Sequence, residues 1–273
     1  MKNLLALLLL LFFSSIANAE DQSLTIGCTT KCNPFYQLAV KHTAKSHDKK
    51  VRIIDLSKEA VVKWDEIDGI LIPGGVDIDP EYYFPYIEED LIDYTKALSH
   101  LVNYTREGKK RDAFEFKLLQ DYFKLDEARN IPVLGICRGM QMLAVSQGIP
   151  LYVDINQELG IKNRRFLLDR IFPTAEKDST IGNLFGHPFL AFKQHHQGIR
   201  VNYFEQHRDR WPSISITSYS NKDRIAESME FHDRPILGVQ SHPEMDFGKE
   251  RHKIFGWFLK KAKERNHLKS LAH

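Results

Sequence analysis

A short apolar run, Ile131 to Ile136, delivers a single cysteine, Cys137, between Gly135 and Gly139, and an apolar helical pattern (Met140, Leu143, Ala144) begins at once after it. Strand, sharp turn and helix in that order are the layout of a nucleophile elbow. The turn forces the central residue into a strained backbone conformation, and flanking glycines let the strand and helix approach closely. The cysteine then sits at a helix N-terminus, where unpaired N–H groups and the helix dipole favour a thiolate and stabilise an oxyanion.

Other strand-length runs organise around this one. Leu24 to Cys28, Val51 to Leu56 and Ile67 to Ile72 read as strands, the last closing on Pro73-Gly74-Gly75. Between them, Asn33-Pro34 starts a helix with Phe35, Leu38, Ala39 and His42 spaced for one face. Alternating strands and helices predict an α/β chain: a single doubly wound domain with a mostly parallel central sheet. Ligands of such folds bind beyond the carboxyl ends of the strands, where both Gly74-Gly75 and Cys137 fall. Residues 85–108 read as additional helical material. Asp112-Ala-Phe-Glu115 matches a D-x-x-E capping box opening a helix that runs to about Ala128. Leu151 to Ile155 reads as a strand, residues 156–186 carry no regular pattern, and Ser213 to Tyr219, Arg224 to Phe231 and Pro235 to Gln240 read as strands. Ile254 to Ala262 closes the chain as a helix.

Residues 1–19 read differently. Lys2 supplies a positive start, Leu4 to Phe13 is nearly all apolar, and Ala17-Asn18-Ala19 is a small-residue cleavage signal. This predicts a signal peptide cut after Ala19, an exported (periplasmic or secreted) protein over residues 20–273, and no stable membrane insertion after cleavage. The net charge of +2 carries no nucleic-acid footprint. Of the three cysteines, Cys28 and Cys32 are close together and Cys137 stands alone. Two readings of the first pair stand: a local disulfide, or two unpaired thiols at the end of the first strand. Neither cysteine has partners at metal-ligand spacing, so no metal site is expected.

A cysteine nucleophile needs a base, and the base needs an orienting group. His242-Pro243-Glu244 offers both at a strand end. Residues two apart in extended chain point to one side, and the proline holds the chain extended. The roles this predicts are Cys137 as nucleophile, His242 as base and then acid, and Glu244 as the group that orients His242.

With these residues in place, Gly135-Ile-Cys137-Arg-Gly139-Met-Gln141 and His242-Pro-Glu244 resemble the class I glutamine amidotransferase superfamily. Gly74-Gly75-Val-Asp77-Ile-Asp79-Pro80-Glu-Tyr82, Arg111-Asp112-x-x-Glu115 and His195-His196-Gln197 resemble its peptidase C26 branch, which contains gamma-glutamyl-gamma-aminobutyrate hydrolases. The resemblance spans about Leu24 to Leu259. It implies hydrolysis of a small gamma-glutamyl substrate through a thioester on Cys137, with no metal or organic cofactor. It also implies an oxyanion hole of backbone N–H groups from Gly75, Val76 and Arg138, and a glutamyl head near Gln141, His195 and His196.

Alternatives stand beside several of these roles. Gln141 either meets substrate or packs; the Arg138 side chain either binds a substrate carboxylate or pairs with Glu115 or Asp112; one of His195 and His196 lines the site. Arg111 and Glu115 read as structural, and a homodimer is left open. An ammonia-supplying amidotransferase subunit and a binding protein that keeps the fold without turnover are the rival functions. Export and the lack of a P-loop disfavour the first rival, and the complete Cys137, His242 and Glu244 set disfavours the second.

Overall fold

The computed structural model describes residues 23–46, 49–103, 105–161, 167–176, 178–220, 224–246 and 248–272. The expected signal peptide, residues 1–19, lies outside them. In chain order the elements are β1 (Leu24–Cys28), α1 (Pro34–Lys45), β2 (Val51–Asp55), β3 (Gly69–Ile72), α2 (Glu89–Ala97), α3 (Arg106–Lys124), β4 (Val133–Ile136), α4 (Arg138–Ser146), β5 (Leu151–Tyr152), α5 (Ile155–Leu159), β6 (Leu167–Pro173), α6 (Thr180–Phe185), β7 (Phe189–Lys193), β8 (Gly198–Ile199), α7 (Val201–Gln206), β9 (Ile214–Ser220), β10 (Ile225–Phe231), β11 (Ile236–Val239) and α8 (Lys249–Ala272).

Nine strands form one sheet in the order β2-β1-β3-β4-β11-β10-β9-β6-β7. The half from β2 to β11 is parallel. From β11 onward each neighbour is antiparallel, so the sheet is mixed and its second half is built from hairpin-like returns. The strand order decides where chemistry can occur. β3, β4 and β11 are adjacent, and their carboxyl ends lead directly into Pro73-Gly74, Cys137 and Gln240-Ser241-His242. Open α/β sheets place ligands at such ends.

Successive residues of the central strands enter opposite layers. Ile70, Ile72, Val133 and Ile236 join a cluster with Leu118, Leu119 and Tyr122 of α3 and Met140 and Leu143 of α4. Leu71, Leu134 and Leu237 join the other, with Tyr36, Ala39 and Val40 of α1 and Ile254, Phe255 and Phe258 of α8. Strands buried on both faces read as continuous apolar runs, which is why they stood out in the sequence. Each fully buried leucine or isoleucine contributes about 1.5–3 kcal/mol, so these layers are the principal source of stability.

Several expectations are corrected. The α1 face is rotated: Phe35 and Leu38 are exposed, and Tyr36, Ala39, Val40, Thr43 and Ala44 are buried. The asparagine cap itself holds, with the Asn33 side chain accepting from the Phe35 and Tyr36 amides. Asp112 and Glu115 are not a capping box. Helix α3 starts about two turns earlier, its cap is Thr105 accepting from the Gly108 amide, and both acids lie within the helix and buried. The strand at Leu151 is only Leu151–Tyr152, paired with β8 in a separate small sheet, and residues from Ile155 turn helical. The unpatterned stretch 156–186 contains most of α5, then β6 and α6. Residues 85–108 are broken up, with α2 as their main helix.

Candidate active site

Cys137 has φ 52° and ψ −107°, and it is the one non-glycine residue with positive φ among the described residues. Its amide donates to the carbonyl of Val239 on β11 at 2.7 Å, so the strained turn is tied into the sheet. The glycines on either side are there because strand and helix nearly touch. A Cβ on Gly135 would lie 2.7 Å from the Gly139 carbonyl carbon, and one on Gly139 would collide with the carbonyl oxygen of Ile72. The elbow expected from sequence is the local structure observed. Cys137 is 5% exposed and opens on a pocket, with its Sγ 3.9 Å from the carbonyl oxygen of Gln194.

His242 borders the same pocket. Its Nδ1 lies 2.7 Å from Glu244 Oε1, which accepts the ring proton. Its amide donates to the carbonyl of Phe192 at 2.9 Å, which fixes the loop against β7. A Cβ built on Gly74 would stand 3.1 Å from His242 Cε1 and 3.5 Å from Cys137 Cβ, so both side chains converge on the end of β3. Burial works against a charged ring, but Cys137 and Glu244 outweigh it and push the His242 pKa up to about 11. The imidazole is therefore held protonated, with one nitrogen committed to Glu244 and the other left for Cys137.

The pocket has a volume of roughly 570 Å³ and is also lined by Tyr36, Gly74, Gly75, Val76, Asp77, His195 and His196. His195 is buried with Nδ1 2.9 Å from the Gln197 carbonyl. Burial, followed by the Lys193 charge, pushes its pKa well down, so its ring is neutral. His196 stands between two carboxylates, Asp77 Oδ1 at 2.8 Å from Nε2 and Asp154 Oδ2 at 3.3 Å from Nδ1. Both histidines therefore reach the pocket, and His196 also ties the loop after β3 to the start of α5. Gln197 adds a second tie: its Oε1 accepts from the Ile78 amide at 3.1 Å.

Gln141 does not reach the pocket. It is buried behind it, and its amide donates to the Gln197 carbonyl at 2.9 Å and to Gln240 Oε1 at 3.2 Å. The Arg138 side chain takes its scaffold alternative, with Nη1 on Glu115 and Nη2 on Asp112 and almost no exposure. Burial opposes its charge, and Glu115 and Asp112 outweigh that opposition. Glu115 also accepts from Thr29 and from Arg111 Nε. Asp112 accepts from the Asp79 amide at 3.1 Å. This network lies under the loop after β3. Of the backbone groups expected in the oxyanion hole, Gly75 and Val76 line the pocket, and Arg138 is the first residue of α4, directly beside the thiol.

Cys28 and Cys32 are joined in a disulfide with Cα atoms 6.1 Å apart, leaving Cys137 as the free cysteine among the described residues. The bridge closes the turn that leads to Asn33 and Tyr36. Tyr36 went unrecognised in the sequence because the helical face was read one residue out of phase. Its hydroxyl accepts from the Gly74 amide at 2.9 Å. Burial, and then the Glu244 charge, raise its pKa well above the usual phenol value, so it stays a neutral hydroxyl. Asn33, Asn103, Gln194 and Met245 complete the rim; no local pattern singled them out as site residues.

Comparison with known proteins bears on the family and the fold. The peptidase C26 family model matches residues 51–244. Protein NtpR of Enterococcus hirae is 28% identical over 200 residues, which cover 70% of this chain and 73% of that protein. A glutamine amidotransferase-like protein of Lactococcus lactis is 26% identical over 246 residues, 84% of this chain and 93% of its own. Among solved structures, the glutaminase domain of Trypanosoma brucei CTPS with bound acivicin has the same fold. It has a TM-score of 0.63 at 14% identity, covering 89% of this chain and 94% of that one.

Proposed function

The chain belongs to the peptidase C26 family of glutamine amidotransferase-like hydrolases and amidotransferases, and from that premise we propose that it is an exported hydrolase of gamma-glutamyl amides. The observation that carries this reading is Cys137 at φ 52° on its elbow, facing a pocket that the Glu244-bound His242 ring shares.

The nucleophilic form of cysteine is the thiolate, and His242 is the group that holds its proton. The thiolate sulfur attacks the gamma carbonyl carbon, and the carbonyl oxygen becomes an oxyanion facing the amides of Gly75, Val76 and Arg138. Donors already aimed at that oxygen stabilise the transition state without reorganising. As the tetrahedral adduct collapses, the carbon–nitrogen bond breaks and His242 gives its proton to the departing amine. A gamma-glutamyl thioester on Cys137 and a neutral imidazole remain. Water then adds to the thioester while His242 takes a proton from it, and the carbon–sulfur bond breaks to release glutamate and return the starting ion pair. Glu244 keeps the ring in one orientation through both steps.

Export is supported by the leader pattern at residues 1–19 and by the Cys28–Cys32 disulfide, a bond that persists in oxidising compartments. The purified chain should release glutamate from gamma-glutamyl amides with varied leaving amines, and Cys137→Ala should release none. Release confined to free glutamine would favour an ammonia-supplying role instead. Binding with no release, unchanged in Cys137→Ala, would leave only a binding protein. N-terminal sequencing of the protein from the native cell tests cleavage after Ala19.

A further inference from the structure

We propose that Arg111 is a positioning residue: it aims the backbone amide of Gly75 at the oxyanion, an inference that rests on the hydrolase reading above. Its guanidinium holds two consecutive carbonyls of the loop after β3. Nη2 donates to the Pro73 carbonyl at 2.6 Å and Nη1 to the Gly74 carbonyl at 2.8 Å, while Nε donates to Glu115 at 2.8 Å.

In a planar trans peptide the C=O and the following N–H point in opposite directions. The described residues contain no cis peptide bond. The first of the two peptides shows the consequence: the Pro73 carbonyl faces Arg111, and the Gly74 amide on its far side donates to Tyr36 in the pocket wall. The second obeys the same rule. With the Gly74 carbonyl on Arg111, the Gly75 amide is turned toward the pocket that holds Cys137.

The device is needed because a Gly-Gly peptide has no Cβ on either side to bias it, so either orientation is open to it. Arg111 removes that freedom. A Cβ on Gly75 would collide with Arg111 Nη1 and stand 3.1 Å from Arg138 Cδ, so the guanidinium fills the space directly beneath the glycine. Arg111 is itself anchored, because Glu115 is fixed from the other side by Arg138 and Thr29. The same contacts would also serve a guanidinium that only pinned α3 to the sheet, and kinetics separate the two roles. An oxyanion donor acts in the transition state, so its loss lowers kcat and leaves KM largely alone.

The test compares Arg111→Gln and Arg111→Lys with the wild-type protein on a gamma-glutamyl anilide. Arg111→Gln should lower kcat by about a hundredfold, the effect of losing one oxyanion donor, with KM changed by less than about threefold. Added guanidinium ion should restore part of the rate to Arg111→Ala. Arg234→Gln is the matched control, since Arg234 also donates to two consecutive carbonyls, Tyr122 at 3.3 Å and Phe123 at 3.0 Å, far from the pocket. It should lose stability and keep its kcat. Equal kcat losses for the Arg111 and Arg234 variants, or a kcat for Arg111→Gln within about twofold of wild type, would overturn the proposal. A crystal structure of Arg111→Gln decides independently of substrate: a turned Gly74–Gly75 peptide supports it and an unchanged one overturns it. Failure of the wild-type protein on every gamma-glutamyl amide would instead sink the hydrolase reading. If Arg111→Gln does not fold, Arg111→Lys, which keeps the charge and loses the fork, carries the same comparison.

Discussion

Lys193 and Glu227 form an ion pair out of contact with water, both side chains essentially unexposed. Lys193 ends β7, immediately before the Gln194-His195 segment of the pocket, and its Nζ also donates to Ser220 Oγ at 2.9 Å. Glu227 lies on β10, where its backbone carbonyl accepts from the Gln240 amide just ahead of Ser241-His242. One buried pair thus underlies both histidine-bearing edges of the site.

Removing Lys193 strands the buried Glu227, whereas Lys193 also reaches Asp169 at 3.3 Å. Lys193→Met should cost about 3–5 kcal/mol in urea unfolding, and Lys193→Met combined with Glu227→Leu should recover most of it. If the double variant is as unstable as the single one, the uncompensated charge is not the cause.

The strain at Cys137 sets up a second expectation. An ordinary substitution by glycine costs about 0.5–1 kcal/mol. Relief of a disallowed backbone conformation returns about 1–3 kcal/mol. Cys137→Gly should therefore be at least as stable as Cys137→Ala, which also lacks the thiol but keeps the strained backbone, and neither variant should turn over. A measured loss above about 1 kcal/mol relative to Cys137→Ala would place the strain elsewhere.

His242 has its pKa raised in the folded state, to about 11. The protonated ring therefore favours the folded state. That contribution is full below the unfolded histidine value of about 6.5, falls as pH rises, and is gone above about 11. His242→Gln should flatten this part of the stability profile. Cys137 is the largest of the influences that raise the value, so Cys137→Ala should move the His242 Cε1 resonance to a lower titration midpoint. An unchanged midpoint would mean that the thiol and ring do not interact.

Glu250 behaves in the opposite sense for a carboxylate. Burial, only partly offset by the hydrogen bond from Ser241, pushes its pKa up to about 8. The folded state then holds a proton that the unfolded chain gives up, so stability falls from the ordinary carboxylate pKa up to about 8 and is level above it. Glu250→Gln should remove that slope and be more stable than wild type by a few kcal/mol above pH 8. Parallel pH profiles for the two proteins would refute the shift.

The parts of the site legible in the sequence were those in which neighbours along the chain become neighbours in space. The elbow needs Gly135, Cys137 and Gly139 within one turn, and His242 meets Glu244 two residues away. The central strands were legible because burial on both faces makes them uniformly apolar. Asp112 and Glu115 were misread because two acids three residues apart look the same whether they cap a helix or bind a buried arginine. Their partner, Arg138, comes from another element. Tyr36 was hidden by a phase error that one exposed phenylalanine, Phe35, was enough to cause. Strands β6 and β7 were obscured because their exposed faces carry Leu168, Phe172 and Leu190, which removes the usual alternation of apolar and polar residues.

The position of the disulfide also bears on how the nucleophile survives synthesis. Its cysteines are separated by 4 positions and belong to the first strand and the turn after it, whereas Cys137 lies far downstream. Short loops close at lower entropic cost than long ones, and a chain emerges N-terminus first. In the oxidising compartment proposed above, Cys28 and Cys32 would find each other before Cys137 arrives. The Cys137 thiol would then enter a chain with no free cysteine left to capture it, so the order of emergence would protect the proposed nucleophile until the elbow buries it.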